Sequence, residues 1–185
     1  INEKGKRVTK LNVGKKPSGN ILTNILRNNS PGLLTVFFDS SFIRSENNFF
    51  DNNLELVEEF EFFTRILSEY KAGYINIPLA EYRVHSSMTS KLKYASYPNE
   101  IEYVIKKLRN KFNNSNLKIN SAINYLEYKN YYYKGNLLMK NKDRKTASRL
   151  LSKIKFKSII FLFLYILSLF PYQLWNKFHG IINRY

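Results

Sequence analysis

The chain has 185 residues, 44% hydrophobic and 16% aromatic, enough for one ordinary domain with a core plus an appendage. It has no cysteine, which excludes a disulfide framework, a thiolate metal site and a cysteine nucleophile. The net charge is +16, carried mostly by the second half: residues 1–98 hold 13 basic and 10 acidic side chains, residues 99–185 hold 17 and 4. A half this basic calls for an anionic partner, phospholipid or nucleic acid.

In chain order, residues 1–20 are polar, basic and irregular, and the stretch Lys4–Lys16 has no apolar run behind it as a signal peptide would. The chain starts with Ile1 and is expected to begin inside a larger protein. Gly14-Lys-Lys-Pro-Ser-Gly19 is not a phosphate loop, because Asn20-Ile21 stands where Lys-Ser/Thr is required. Residues 20–29 read as a short helix closed by Asn28 to Gly32, and Leu33–Phe38 as a buried strand. Residues 42–53 read as a loop holding a short turn.

Leu54–Tyr70 has the best helical pattern, with apolar residues at 56, 60, 63, 67 and 70 and Gly73 after it. At about 100° per residue, Glu58, Glu61, Arg65 and Glu69 fall opposite that stripe, as a solvated face with possible Glu61–Arg65 and Arg65–Glu69 pairs. Glu59 lies only about 60° from the stripe centre. There it either loses hydration and gains proton affinity, as suits a general base, or flanks the core and bends out to solvent. Residues 74–77 and 79–84 read as short strands around Pro78. Helices follow at about 99–112, 118–134 and 136–152.

The last segment, 153–185, opens with Lys153, Lys155 and Lys157 and then runs uncharged from Ser158 to Phe170, with Pro171 as a breaker. Thirteen helical residues cover about 20 Å, short of a hydrocarbon core of ~30 Å. Basic flanks with Tyr165, Tyr172, Trp175, Lys177 and Arg184 suit a headgroup region, so an interfacial or re-entrant anchor leads, ahead of a span or a buried core helix. Tyrosines and lysines interleave from Tyr125 to Tyr133 as in a base-stacking surface, but helix packing accounts for them better and no nucleic-acid motif accompanies them.

Phe50-Asp51, then Val57-Glu58-Glu59-Phe60-Glu61-Phe62-Phe63-Thr64-Arg65, and further on Pro78-Leu79-Ala80-Glu81-Tyr82-Arg83-Val84-His85 with the Ser86–Ser90 sequel, resemble the acidic and Tyr-Arg-x-His motifs of family 2 glycosyltransferases. The resemblance covers about residues 19–90. It implies the acceptor half of a GT-A fold, an α/β architecture with a Rossmann-like mixed sheet, over residues 1–95. A basic helical region (96–152) and a membrane-associated segment (153–185) would follow. It further implies an inverting transfer of sugar from a nucleotide-sugar donor to a saccharide or lipid-linked acceptor, in cell-surface polysaccharide or glycolipid synthesis at the cytoplasmic face of a membrane. Glu59 is the implied base and Glu58 its acceptor-side partner. Tyr82 and Arg83 would bind substrate, and His85 would approach the divalent cation (Mn²⁺ or Mg²⁺) and donor phosphates of the complete enzyme.

The family has Asp where this chain has Glu59, which displaces the carboxylate by about an ångström for one added methylene. The chain has no Asp-x-Asp and no nucleotide-binding half, so by itself it is expected to be inactive. The alternatives are a non-catalytic membrane-surface protein with a glycosyltransferase remnant and a basic helical nucleic-acid binder.

Overall fold

A computed structural model of the chain describes residues 4–7, 14–28, 31–39, 41, 49–85, 92–113 and 116–182. The Ser86–Ser90 sequel, most of the 42–53 loop, much of the N-terminal stretch and Arg184 lie outside the described residues. Among the described residues seven α-helices carry the fold: α1 (Leu22–Asn28), α2 (Glu58–Ile66), α3 (Tyr97–Phe112), α4 (Leu117–Lys140), α5 (Arg144–Ser152), α6 (Ile159–Ser168) and α7 (Tyr172–Ile182).

Local chemistry explains the ends of these helices. Asn116 accepts the N–H groups of Lys118 and Ile119 at the start of α4, Asp143 accepts that of Thr146 in α5, and Ser158 accepts that of Phe161 in α6. Asn113 closes α3 in the left-handed conformation. Pro171 separates α6 from α7, as the sequence predicts. The expected break near residue 135 is absent, and α4 runs on to Lys140. Gly135 serves packing there: a Cβ at that position would stand 3.1 Å from Leu151 Cγ of α5.

At 24 residues α4 is about 36 Å long, and it is the spine shared by two cores. The first joins Leu22, Ile25 and Leu26 of α1, Val57 and Phe60 at α2, Ile101, Val104 and Leu108 of α3, and Ile123 and Leu126 of α4. The second joins Tyr132 and Met139 of α4 to Leu151, Phe161, Leu164 and Trp175.

The expected α/β fold with a mixed sheet is wrong. Among the described residues there is no strand, only one antiparallel bridge between Gly19 and Ala72. Leu33–Thr35 forms a single 3₁₀ turn, held by Thr35 N–H to Gly32 C=O at 3.0 Å, instead of a buried strand. Its neighbour Phe37 stays 82% exposed. Residues 74–77 and 79–84 likewise carry no strand pairing. The physical reason is the lack of partners: isolated strand pairs are marginal in water, and the first core closes without residues 33–38 or 74–84.

Candidate functional site

The acidic helix begins at Glu58, four residues later than its sequence pattern suggests. Residues 54–57 wind instead around a carboxylate from α3, where Glu100 Oε2 accepts the N–H groups of Glu55, Leu56 and Val57 at 3.1, 2.9 and 3.2 Å. Val57, the N-cap of α2, has no side chain able to cap it, so the cap comes from α3. Glu58, Glu59 and Glu61 then fill the first turn, where the helix dipole favours negative charge.

The two candidate acids occupy different surroundings. Glu59 is partly buried. Burial pushes its carboxyl above the usual range, a bond from the Leu33 backbone N–H draws it partly back, and the adjoining Glu58 charge raises it further. Glu58 does not stand out in solvent. One of its carboxylate oxygens, Oε2, is buried without a hydrogen-bond partner among the described residues.

The predicted solvated face of α2 is also wrong. Glu61 is only 2% exposed and faces α3. Its carboxylate takes Arg65 Nη2 at 3.2 Å and the Lys107 ammonium. Lys107 also reaches Asp51 at 2.9 Å, and Tyr103 donates to the same Asp51 carboxylate at 3.0 Å. The Glu61–Arg65 pair is as expected from the i, i+4 spacing, while Glu69 pairs with Lys111 of α3. Lys107 holds the Asp51 carboxyl far below the usual carboxylate range, against a smaller opposing effect of burial. A cleft of about 290 Å³ lies beside this cluster, lined by Glu61, Arg65, Lys107 and Lys111 among others. Its charges are mutually satisfied, which marks a structural ion-pair network.

Glu61, Asp51 and Lys107 escape a helix-wheel reading because the wheel knows one helix, and the partner cation sits more than forty residues away. The usable signal was the basic spacing of Lys107 and Lys111 on one face of α3, matching Glu61 and Glu69 on α2.

Tyr82 and Arg83 are exposed and His85 is partly buried, all within the segment that carries no strand. The sheet that would have brought them beside Glu59 is therefore missing among the described residues. Among the described residues no group of three or more His, Asp or Glu is arranged to hold a metal ion.

Comparison with known proteins returns no match, whether to protein-family models, to curated proteins or to solved structures.

Proposed function

We propose that residues 49–85 contribute the acceptor side of a glycosyltransferase site, acting within a protein that supplies a donor side. The supporting observation is Glu59, a partly buried acid of raised proton affinity at a helix start, with the buried Oε2 of Glu58 next to it. In the proposed reaction the Glu59 carboxylate takes the proton of an acceptor hydroxyl as that oxygen attacks the anomeric carbon. The bond to the nucleoside-diphosphate leaving group breaks on the opposite face, so the configuration inverts. Raised proton affinity strengthens the base, and Glu58 would act as its acceptor-side partner. Tyr82, Arg83 and His85 would meet the substrate only with the 74–85 segment ordered against Glu59. No step here is routed through a metal.

The test is Glu59→Gln in the longest natural chain that carries these residues. Transfer should fall at least about a hundredfold, the usual scale for loss of a general base, with donor binding retained. Undiminished transfer would sink the assignment.

A second reading is favoured by the bond from Leu33 N–H to Glu59, which gives this carboxylate a structural task as a cap on the 3₁₀ turn. On that reading the chain is a non-catalytic membrane-surface protein. Glu59→Gln would then leave any transfer by the longer chain unchanged.

A further inference from the structure

Independently of the sugar-transfer reading, we infer that α6, α7 and the turn before them form a docking face for an anionic lipid bilayer, lying in its surface plane.

The argument begins with α6, which has no charged residue and is apolar on every side. A helix of this kind belongs in a core or in lipid. Only its inner side is covered: Phe161, Leu164 and Leu167 are buried in the second core. Its outer side is bare. Ile159, Phe163 and Ile166, spaced four and three residues apart, share one direction within about 60° and are all exposed, and Phe170 just past the helix is exposed as well. Phe156 ahead of the helix is 83% exposed, and Leu174 of α7 is exposed after it. Patches of this kind on a water-facing surface mark a binding site.

The rim of the patch identifies the occupant. Asp143 is the last acidic residue in the chain; the 42 residues after it (185 − 143) hold eight Lys or Arg and no Asp or Glu. Lys153 and Lys157 are exposed beside Phe156. The Lys155 ammonium stands over two rings, 4.9 Å from the Phe156 centroid and 5.0 Å from that of Tyr165. An aliphatic centre with a one-signed basic rim complements anionic headgroups over acyl chains. A second copy of the chain would bring the same positive rim against this one. Nucleic acid would take the lysines but has no use for exposed Ile159 and Ile166.

Geometry decides between lying on the bilayer and crossing it. At ten residues α6 is about 15 Å long, half the hydrocarbon thickness, and Pro171 then turns the chain. No helix among the described residues is long and apolar enough to cross a membrane.

The test is co-sedimentation of the 185-residue chain with phosphatidylcholine vesicles, with and without phosphatidylserine. The chain should pellet with the anionic vesicles and be partly released by salt. Lys153→Glu with Lys157→Glu should weaken binding by roughly tenfold or more. Phe156→Ser with Ile159→Ser should also weaken it, at unchanged helical circular dichroism, since both side chains are almost fully exposed. A chain that stays in the supernatant with anionic vesicles, or one that pellets equally after the Phe156 and Ile159 changes, overturns the inference. Salt-sensitive binding to DNA without vesicle binding overturns it as well.

Discussion

Glu100 caps α2 from α3: its Oε2 accepts the Val57 N–H at 3.2 Å, where Val57 itself offers no capping group. The same oxygen takes the N–H groups of Glu55 and Leu56, so one carboxylate satisfies three backbone donors and sets where the acidic helix begins. Glu100→Ala should therefore cost about 2 kcal/mol, the scale of hydrogen bonds to a charged acceptor. Denaturant unfolding of the single variant measures it. A loss within experimental error would show that the cap contributes nothing.

Glu61 should be the most sensitive acid in the fold, because it is buried and its compensation is shared between Arg65 and Lys107. Lys107→Met removes one of the two cations and leaves Glu61 undercompensated. A loss of about 2 kcal/mol is expected, below the range for fully buried pairs because Lys107 is partly exposed. The acid limb should change too. Asp51 has a depressed pKa in the fold, so its contribution is complete above about pH 4 and is lost as pH falls towards its folded value. Unfolding followed from pH 5 downward should be flatter in Lys107→Met than in the wild type.

Glu59 should show the opposite sign. Its folded pKa is raised, so stability is greatest at low pH and declines as pH climbs through the unfolded value, about 4.3. Glu59→Gln keeps an acceptor for the Leu33 N–H and removes the charge. A gain of about 0.5 kcal/mol at neutral pH is expected, kept small by solvent screening. Thermal melts at pH 7 and pH 4 compare the two, and the variant's advantage should shrink at the lower pH.

Gly135 makes room for a neighbour. Alanine there would gain about 1 kcal/mol of helix propensity, but its Cβ would meet three atoms of Leu151 at 3.1–3.2 Å. Leu151 is fully buried and belongs to another helix, so it has little space to yield. Overpacking should outweigh propensity, and Gly135→Ala should lose about 1 kcal/mol net. Leu151→Val should cost less when added to Gly135→Ala than when made alone, a coupling that a double-mutant cycle reads directly.

His179 joins α7 to α4 through Tyr132, with the Tyr132 hydroxyl 2.9 Å from its Nδ1, and its ring stacks on buried Trp175. Burial and then the Lys140 charge hold its pKa below the ordinary value. Above the unfolded pKa of about 6.5 both states are neutral and the contact is intact. As pH falls through that value the unfolded chain takes up the proton first, so stability drops. The melting temperature should fall as pH drops below about 6.5, and His179→Phe should remove that step while leaving the Asp51 acid limb in place.

Much of the helical plan was readable in the chain. The apolar pairs of Leu22, Ile25 and Leu26 announce α1, and Pro171 divides the last two helices. Asn116, Asp143 and Ser158 stand as N-caps because their short polar side chains satisfy nearby backbone donors. The inward bias of Glu59 is equally local, since the apolar stripe of its own helix sets it. These features depend on neighbours within four residues, and a sequence displays such neighbours openly.

Other features depended on what lies across the fold. Leu33–Phe38 and residues 74–84 have the composition of strands, yet a strand exists only when another pairs with it, and the first core closes without them. Glu61 turns inward because Lys107 of α3 meets it there, not because of anything in its own helix. Gly135, apparently a breaker, sits inside a continuous helix because Leu151 occupies the space a side chain would need. The sequence by itself determined where most of the helices lie and which face is apolar, because those depend on local bonding, while the start of α2 and the continuity of α4 through Gly135 depended on neighbouring helices. Only the tertiary structure decided which charges are buried and which apolar runs remain bare, because burial is a property of two surfaces brought together.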